Sequence, residues 1–197
     1  KDHGFGVQRL PLETKYFEAY NRDNVQLIDV SETPLVRVTE KGLRTTEHDY
    51  EFDIIVYATG FDAITGAYDQ IDIRGIGGER LADKWKHGPS TFLGMLVHGF
   101  PNLLMPTGPQ SASASTNFPR GIENGVNWCM DLLQYMWDRG YTRADATSEA
   151  QARWAAHVAK MYEIMLLRKA QGWFTGYNSN VAGHEAGTIR YIVYNGG

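Results

Sequence analysis

The chain has 197 residues, 43% of them hydrophobic and 12% aromatic, which is enough to bury a sizeable core and too apolar for wholesale disorder. Its formal net charge of -4 is spread without acidic or basic blocks, which excludes the electrostatic footprint of a nucleic-acid or anionic-membrane binder. Cys129 is the only cysteine, so an internal disulfide and a cysteine-rich zinc site are excluded, and a reducing cytoplasm is the expected location.

No apolar run approaches the roughly 20 residues of a membrane-spanning helix, and Lys1-Asp2-His3-Gly4-Phe5-Gly6 is not a signal peptide. With no initiator Met, the sequence reads as a piece of a longer protein.

Asn24 to Val30 is β-rich and predicts a strand, and Leu35 to Thr39 with Gly42 to Thr45 predicts a hairpin around Glu40-Lys41-Gly42. Phe52 to Ala58 is almost wholly apolar and stops at Thr59-Gly60, the pattern of a central parallel strand buried on both faces. Ile71 to Arg74, Thr91 to His98 and Asn102 to Pro106 predict further short strands, so the middle reads as sheet-rich. After the small-residue loop Gly108 to Thr116, Ile122, Val126, Cys129, Met130, Leu133 and Trp137 recur at helical spacing, with Pro119 in a first turn and Gly140 as a stop. A second helix is expected from Ser148, as a cap with Gln151 three residues on, to near Gly172, with Trp154, Val158, Met161, Met165 and Leu166 as its apolar stripe. Trp173 to Gly187 reads as a loop, and Ile189 to Tyr194 as a strand.

Most local motifs carry little chemistry. Gly75-Ile76-Gly77-Gly78 lacks the dinucleotide spacing, because the third glycine would fall on Arg80, and reads as a hairpin turn. The six histidines are scattered with no ligand spacing and no carboxylate cluster, so no metal site is expected. Ser111, Ser113 and Ser115 have no nucleophile elbow around them. The stretch from Asp53 to Asp62, with Ala58-Thr59-Gly60 after an apolar strand, is more specific: its tight turn lets a cofactor lie close above a sheet.

That stretch resembles the Ala-Thr-Gly crossing between the NADPH and FAD domains of class B flavin monooxygenases. The run Lys1 to Arg9, Tyr16-Phe17-Glu18, Asn21 to Val25, Ile71 to Gly75, Gly99 to Leu103, Gly108-Pro109, Asn117 with Ile122-Glu123, and Gly172 to Gly176 resemble the Baeyer-Villiger branch in order along the whole chain. The resemblance implies an α/β fold, the two-dinucleotide-binding, Rossmann-like flavoprotein type, incomplete here, with a sheet-rich middle and C-terminal helices. It implies residues 1–57 as the C-terminal end of an NADPH-binding domain and 58–197 as the second half of an FAD-binding domain, with a mobile loop at about 171–187. Neither glycine-rich nucleotide loop is present, and the family's Phe-x-Gly-x-x-x-His-x-x-x-Trp fingerprint is absent. The partner of this stretch is therefore expected to be the N-terminal remainder of the same protein, without which it should be inactive.

The activity implied is insertion of one oxygen atom of O2 beside a ketone carbonyl through a C4a-peroxyflavin, using FAD and NADPH. By resemblance Arg9 is catalytic, a permanently charged fork that holds negative charge beside the flavin. Gln8 stands where relatives carry a lysine for the NADPH 2'-phosphate. Thr59, Gly60, Asn117 and Phe118 are implied cofactor contacts, and Trp173 is implied to donate its indole N–H to the cofactor ribose. Ser113, Ala114 and Ser115 are the implied substrate pocket. Flavin N- or S-oxygenation, or a non-catalytic remnant serving as an interaction module, are the alternatives.

Overall fold

The computed structural model describes residues 7, 11–111, 117–185 and 187–196. They divide into two units, a smaller one over Pro11–Gly60 and a larger one built on Phe61–Gly197.

The smaller unit opens with one helical turn, α1 (Tyr16–Ala19), and is organised by an antiparallel sheet of β1 (Leu35–Val38), β2 (Gly42–Thr45) and β3 (Asp49–Glu51) in that order. The expected hairpin is formed: Val38 pairs with Leu43, and the Thr39 N–H donates to Gly42 O at 2.9 Å. The third strand was not anticipated. The Thr45 hydroxyl accepts from the N–H groups of Glu47 (3.3 Å) and His48 (3.2 Å), turning the chain back so that Tyr50 pairs with Leu43.

Two expected strands are absent from this unit. Asn24 to Val30 has no ladder partner. Phe52 to Ala58 donates once, from Phe52 to Lys41 O, and then leaves the sheet with Ile54 80% and Val56 81% exposed. Burial on both faces requires flanking strands and covering helices, and Pro11–Gly60 contains neither for this segment.

In the larger unit, α2 (Gly66–Asp69) and α3 (Leu81–Lys84) are single turns that flank a tight reversal. The turn expected at Gly75 to Gly78 is present: the Gly75 N–H donates to Glu79 O at 2.9 Å and Arg74 bridges Arg80, so the strand expected at Ile71 to Arg74 shrinks to that bridge. The sheet-rich middle is not observed either, since Thr91 to His98 and Asn102 to Pro106 contribute only a Phe92–Leu96 bridge. Side chains take up the backbone groups instead. Gln151 Oε1 accepts from His98 N–H (2.7 Å) and Asp145 Oδ1 from Gly99 N–H (3.0 Å), which leaves Val97, Phe100 and Met105 free to pack on Leu81 and Trp85 through turns. Burying each of these side chains contributes about 1.5–3 kcal/mol.

The long helix α4 (Phe118–Asp138) forms as expected, with Asn117 as N-cap, Pro119 in the first turn and Gly140, at φ 67°, past the end. Its buried face differs from the anticipated stripe. Gly125, Cys129 and Met136 are buried, whereas Ile122, Val126, Met130, Leu133 and Trp137 are exposed. Gly125 decides this, because a Cβ there would stand 1.6 Å from Pro106 O; the helix packs its backbone, through a glycine, directly on that carbonyl.

The second long helix, α5 (Ser148–Glu163), is capped by Thr147, whose hydroxyl accepts from Ala150 N–H at 3.2 Å, and not by Ser148. Gln151 is spent on His98 and takes no part in a capping box. The helix also stops before Gly172. Met165 breaks it (φ -104°, ψ 152°), and a 3₁₀ turn over Leu166–Lys169 places Leu167 in the core while Leu166 is exposed. That core joins Val158, Tyr162, Leu167 and Phe174 to Ile192 and Val193. Ile189 to Tyr194, expected as a strand, buries Ile192 and Val193 but leaves Tyr191 exposed and belongs to no sheet.

Candidate functional site

Of the residues singled out by sequence, Gln8, Arg9, Ser113, Ala114 and Ser115 lie outside the described residues. Thr59 and Gly60 close the smaller unit, both exposed; Gly60 has φ 85° and open space where a Cβ would be. In the larger unit, Asn117 and Phe118 start α4, where the Asn117 side-chain Oδ1 accepts from Arg120 N–H at 3.4 Å and the first-turn N–H groups carry the positive end of a helix about 30 Å long.

Trp173 begins a 3₁₀ turn (Trp173–Thr175) and is 40% exposed, its ring stacked on Phe174 at 4.6 Å. Its indole N–H donates to no described residue. The turn beneath it is firmly held. The Thr175 hydroxyl donates to Gly172 O (2.8 Å), and the buried Tyr162 hydroxyl donates to Phe174 O (2.7 Å) while accepting from Val193 N–H (3.0 Å). Burial pushes the Tyr162 phenol well above its ordinary range.

Gln110 is a residue the sequence did not signal. Wholly buried and left-handed at φ 68°, its side chain accepts from both the N–H and the hydroxyl of Thr91 (3.0 Å each) and donates to Pro89 O (3.0 Å). Its backbone donates to Ile192 O (2.9 Å) and accepts from the Trp154 indole (3.3 Å). It thereby fixes Pro109 to Ser111, where the small-residue loop begins. A buried amide this fully satisfied rigidifies its surroundings.

A second unanticipated cluster surrounds His184. The sequence reading placed no carboxylates near any histidine, yet His184 Nδ1 lies 3.6 Å from Asp62 Oδ1. Asp69 is held above the usual carboxylate range, first by burial and then by the charge of Asp62, against the pull of Arg190 and His184. Arg190 donates to Lys86 O (2.9 Å) and Trp85 O (3.2 Å); burial lowers its guanidinium, and Asp69 and Asp62 raise it again. Only folding reveals the group, because its members are far apart in sequence. Among the described residues, no group of three or more His, Cys, Asp or Glu is arranged to hold a metal ion, and no helix is long and apolar enough to cross a membrane.

The known proteins similar to this chain are monooxygenases. It is 44% identical over 176 residues, 88% of its length, to 2-oxo-Δ3-4,5,5-trimethylcyclopentenylacetyl-CoA monooxygenase of Pseudomonas putida, of which it covers 32%. It is 41% identical over 191 residues, 97% of its length, to cyclopentanone 1,2-monooxygenase of Comamonas sp. strain NCIMB 9872, of which it covers 34%. Among solved structures, OTEMO in complex with FAD and NADP superposes with a TM-score of 0.85 at 41% identity, over 100% of this chain and 35% of that one. No family profile matches. The chain belongs to the Baeyer-Villiger monooxygenases. It spans about a third of the length of the curated relatives it matches.

Proposed function

We propose that the protein of which this chain is a part is an FAD- and NADPH-dependent monooxygenase that inserts one oxygen atom of O2 beside a ketone carbonyl, giving an ester or lactone. The similarity to ketone monooxygenases over nearly the whole chain carries this reading. The described residues fit the two nucleotides: Gly60 leaves space for a group lying on its turn, the α4 N-terminus favours negative charge, and the Trp173 indole has a donor to spare. When bound, FAD supplies the oxygen-activating chemistry and NADPH the reducing equivalents.

The chain's own residues then bind and orient. The Arg9 guanidinium, protonated at any working pH, holds negative charge at the reacting centre. Gln8 lacks the charge that would select the NADPH 2'-phosphate. Trp173 holds the cofactor ribose and covers the site, Thr59, Gly60, Asn117 and Phe118 border the cofactors, and Ser113, Ala114 and Ser115 leave room for the ketone. Residues 1–57 close an NADPH-binding domain and 58–197 complete an FAD-binding domain of Rossmann-like type, with 171–187 as a mobile loop, both relying on an N-terminal remainder. The enzyme works in the cytoplasm.

The test is the full-length protein with NADPH, O2 and a panel of cyclic ketones. A yellow protein with flavin absorbance that forms lactones is expected, with Arg9→Ala abolishing lactone formation. A colourless protein, or one oxidising only amines and sulfides, overturns the reading. Gln8→Lys should lower the KM for NADPH relative to NADH.

A further inference from the structure

Asp62, Asp69, His184 and Arg190 come from the two ends of the larger unit and meet in one cluster, its basic members buried and its carboxylates partly exposed. Arg190 is 4% exposed and His184 6%. Two of the Arg190 nitrogens are spent on backbone carbonyls, and its Nε is buried without a partner. A buried guanidinium cannot shed its proton, so compensation must come from the carboxylates beside it. Gly66 makes room for one of them, since a Cβ at that position would stand 2.6 Å from Asp62 Cβ.

His184 faces Asp62 at 3.6 Å, and the charges of Asp69 and Asp62 act on Arg190. Next to His184, hydrogen bonds to backbone N–H groups lower the Glu185 carboxyl, with a smaller contribution from His184. Every handle of the cluster leads towards Trp173. The Arg190 N–H donates to Thr175 O at 3.0 Å, at the end of the tryptophan's own turn, and Arg190 Cβ packs where a Gly176 side chain would stand. The His184 backbone carbonyl accepts from Asn178 N–H (2.9 Å) and its backbone N–H donates to Val181 O (3.1 Å), closing the loop between.

We propose that this cluster is a positioning site in which His184, facing Asp62, pins the loop after Trp173 to the Phe61–Asp69 segment. The consequence for cofactor binding rests on the function proposed above; the latch itself does not.

Hydrogen-deuterium exchange of peptides within 172–187 in the full-length flavoprotein tests it. Protection is expected to fall about fivefold in His184→Gln and in Asp62→Asn, with no further loss in the double variant, and to be kept in His184→Lys. With NADPH, His184→Gln should raise KM about fivefold with kcat little changed, and His184→Lys should restore it. A His184→Gln or Asp62→Asn profile matching wild type overturns the proposal, as does a His184→Lys variant behaving like His184→Gln. Should the wild type prove not to oxidise ketones, the function fails while the exchange result still decides the latch.

Discussion

Two apolar runs of this chain, Ile54 to Tyr57 and Ile189 to Tyr194, are alike in composition, and neither takes part in a β-ladder. Their environments are opposite. Ile54 and Val56 are four-fifths exposed, whereas Ile192 and Val193 are 2% and 1% exposed, enclosed by Val158, Tyr162, Leu167 and Phe174. β-branched, apolar sequence thus states a demand for burial but not its supplier. At Ile192 the supplier is a helix and a turn of the same unit, with the Tyr162 hydroxyl and the Gln110 N–H taking the backbone groups that a neighbouring strand would have taken.

The comparison can be broken at each end. Ile192→Ala should cost about 2–4 kcal/mol in denaturant unfolding, by lost transfer energy and a residual cavity; a cost under about 1 kcal/mol would mean the run is not a core element. Tyr162→Phe keeps the ring but leaves Phe174 O and Val193 N–H without their shared partner, and should cost about 1–3 kcal/mol. The same phenol provides a pH signature. Its pKa is raised on folding, so its contribution is complete below the unfolded value of about 10 and is lost as pH rises towards the folded value. Alkaline destabilisation setting in above about pH 10 should be weaker in Tyr162→Phe. The smallest effect belongs to the exposed run. Ile54→Ser should change the stability of this 197-residue chain by no more than about 0.5 kcal/mol. In the full-length protein the same substitution should cost about 1–3 kcal/mol if the rest of the protein covers the segment; an unchanged cost would show that the run stays exposed there.

Local rules held where a few neighbouring residues decide the outcome. The Glu40-Lys41-Gly42 hairpin, the Gly75 to Gly78 turn and the limits of α4 are set by short-range hydrogen bonds and backbone preferences written in adjacent residues. They failed where a distant group intervened. Gln151 reads as a capping residue until His98 claims it, and the inward face of α4 was misassigned because Gly125 packs on Pro106, a contact no hydropathy pattern signals. At the candidate site, Gln110 and the His184 cluster were not legible in the sequence, since their partners converge only on folding.

By itself the sequence determined the family, the hairpin and the two long helices, because each is encoded in local spacing or in an ordered series of motifs. The tertiary structure alone decided which apolar runs are buried, which face of α4 turns inward and that Asp62 and His184 meet. Burial and electrostatic compensation depend on distance in space, and a linear pattern does not carry that distance.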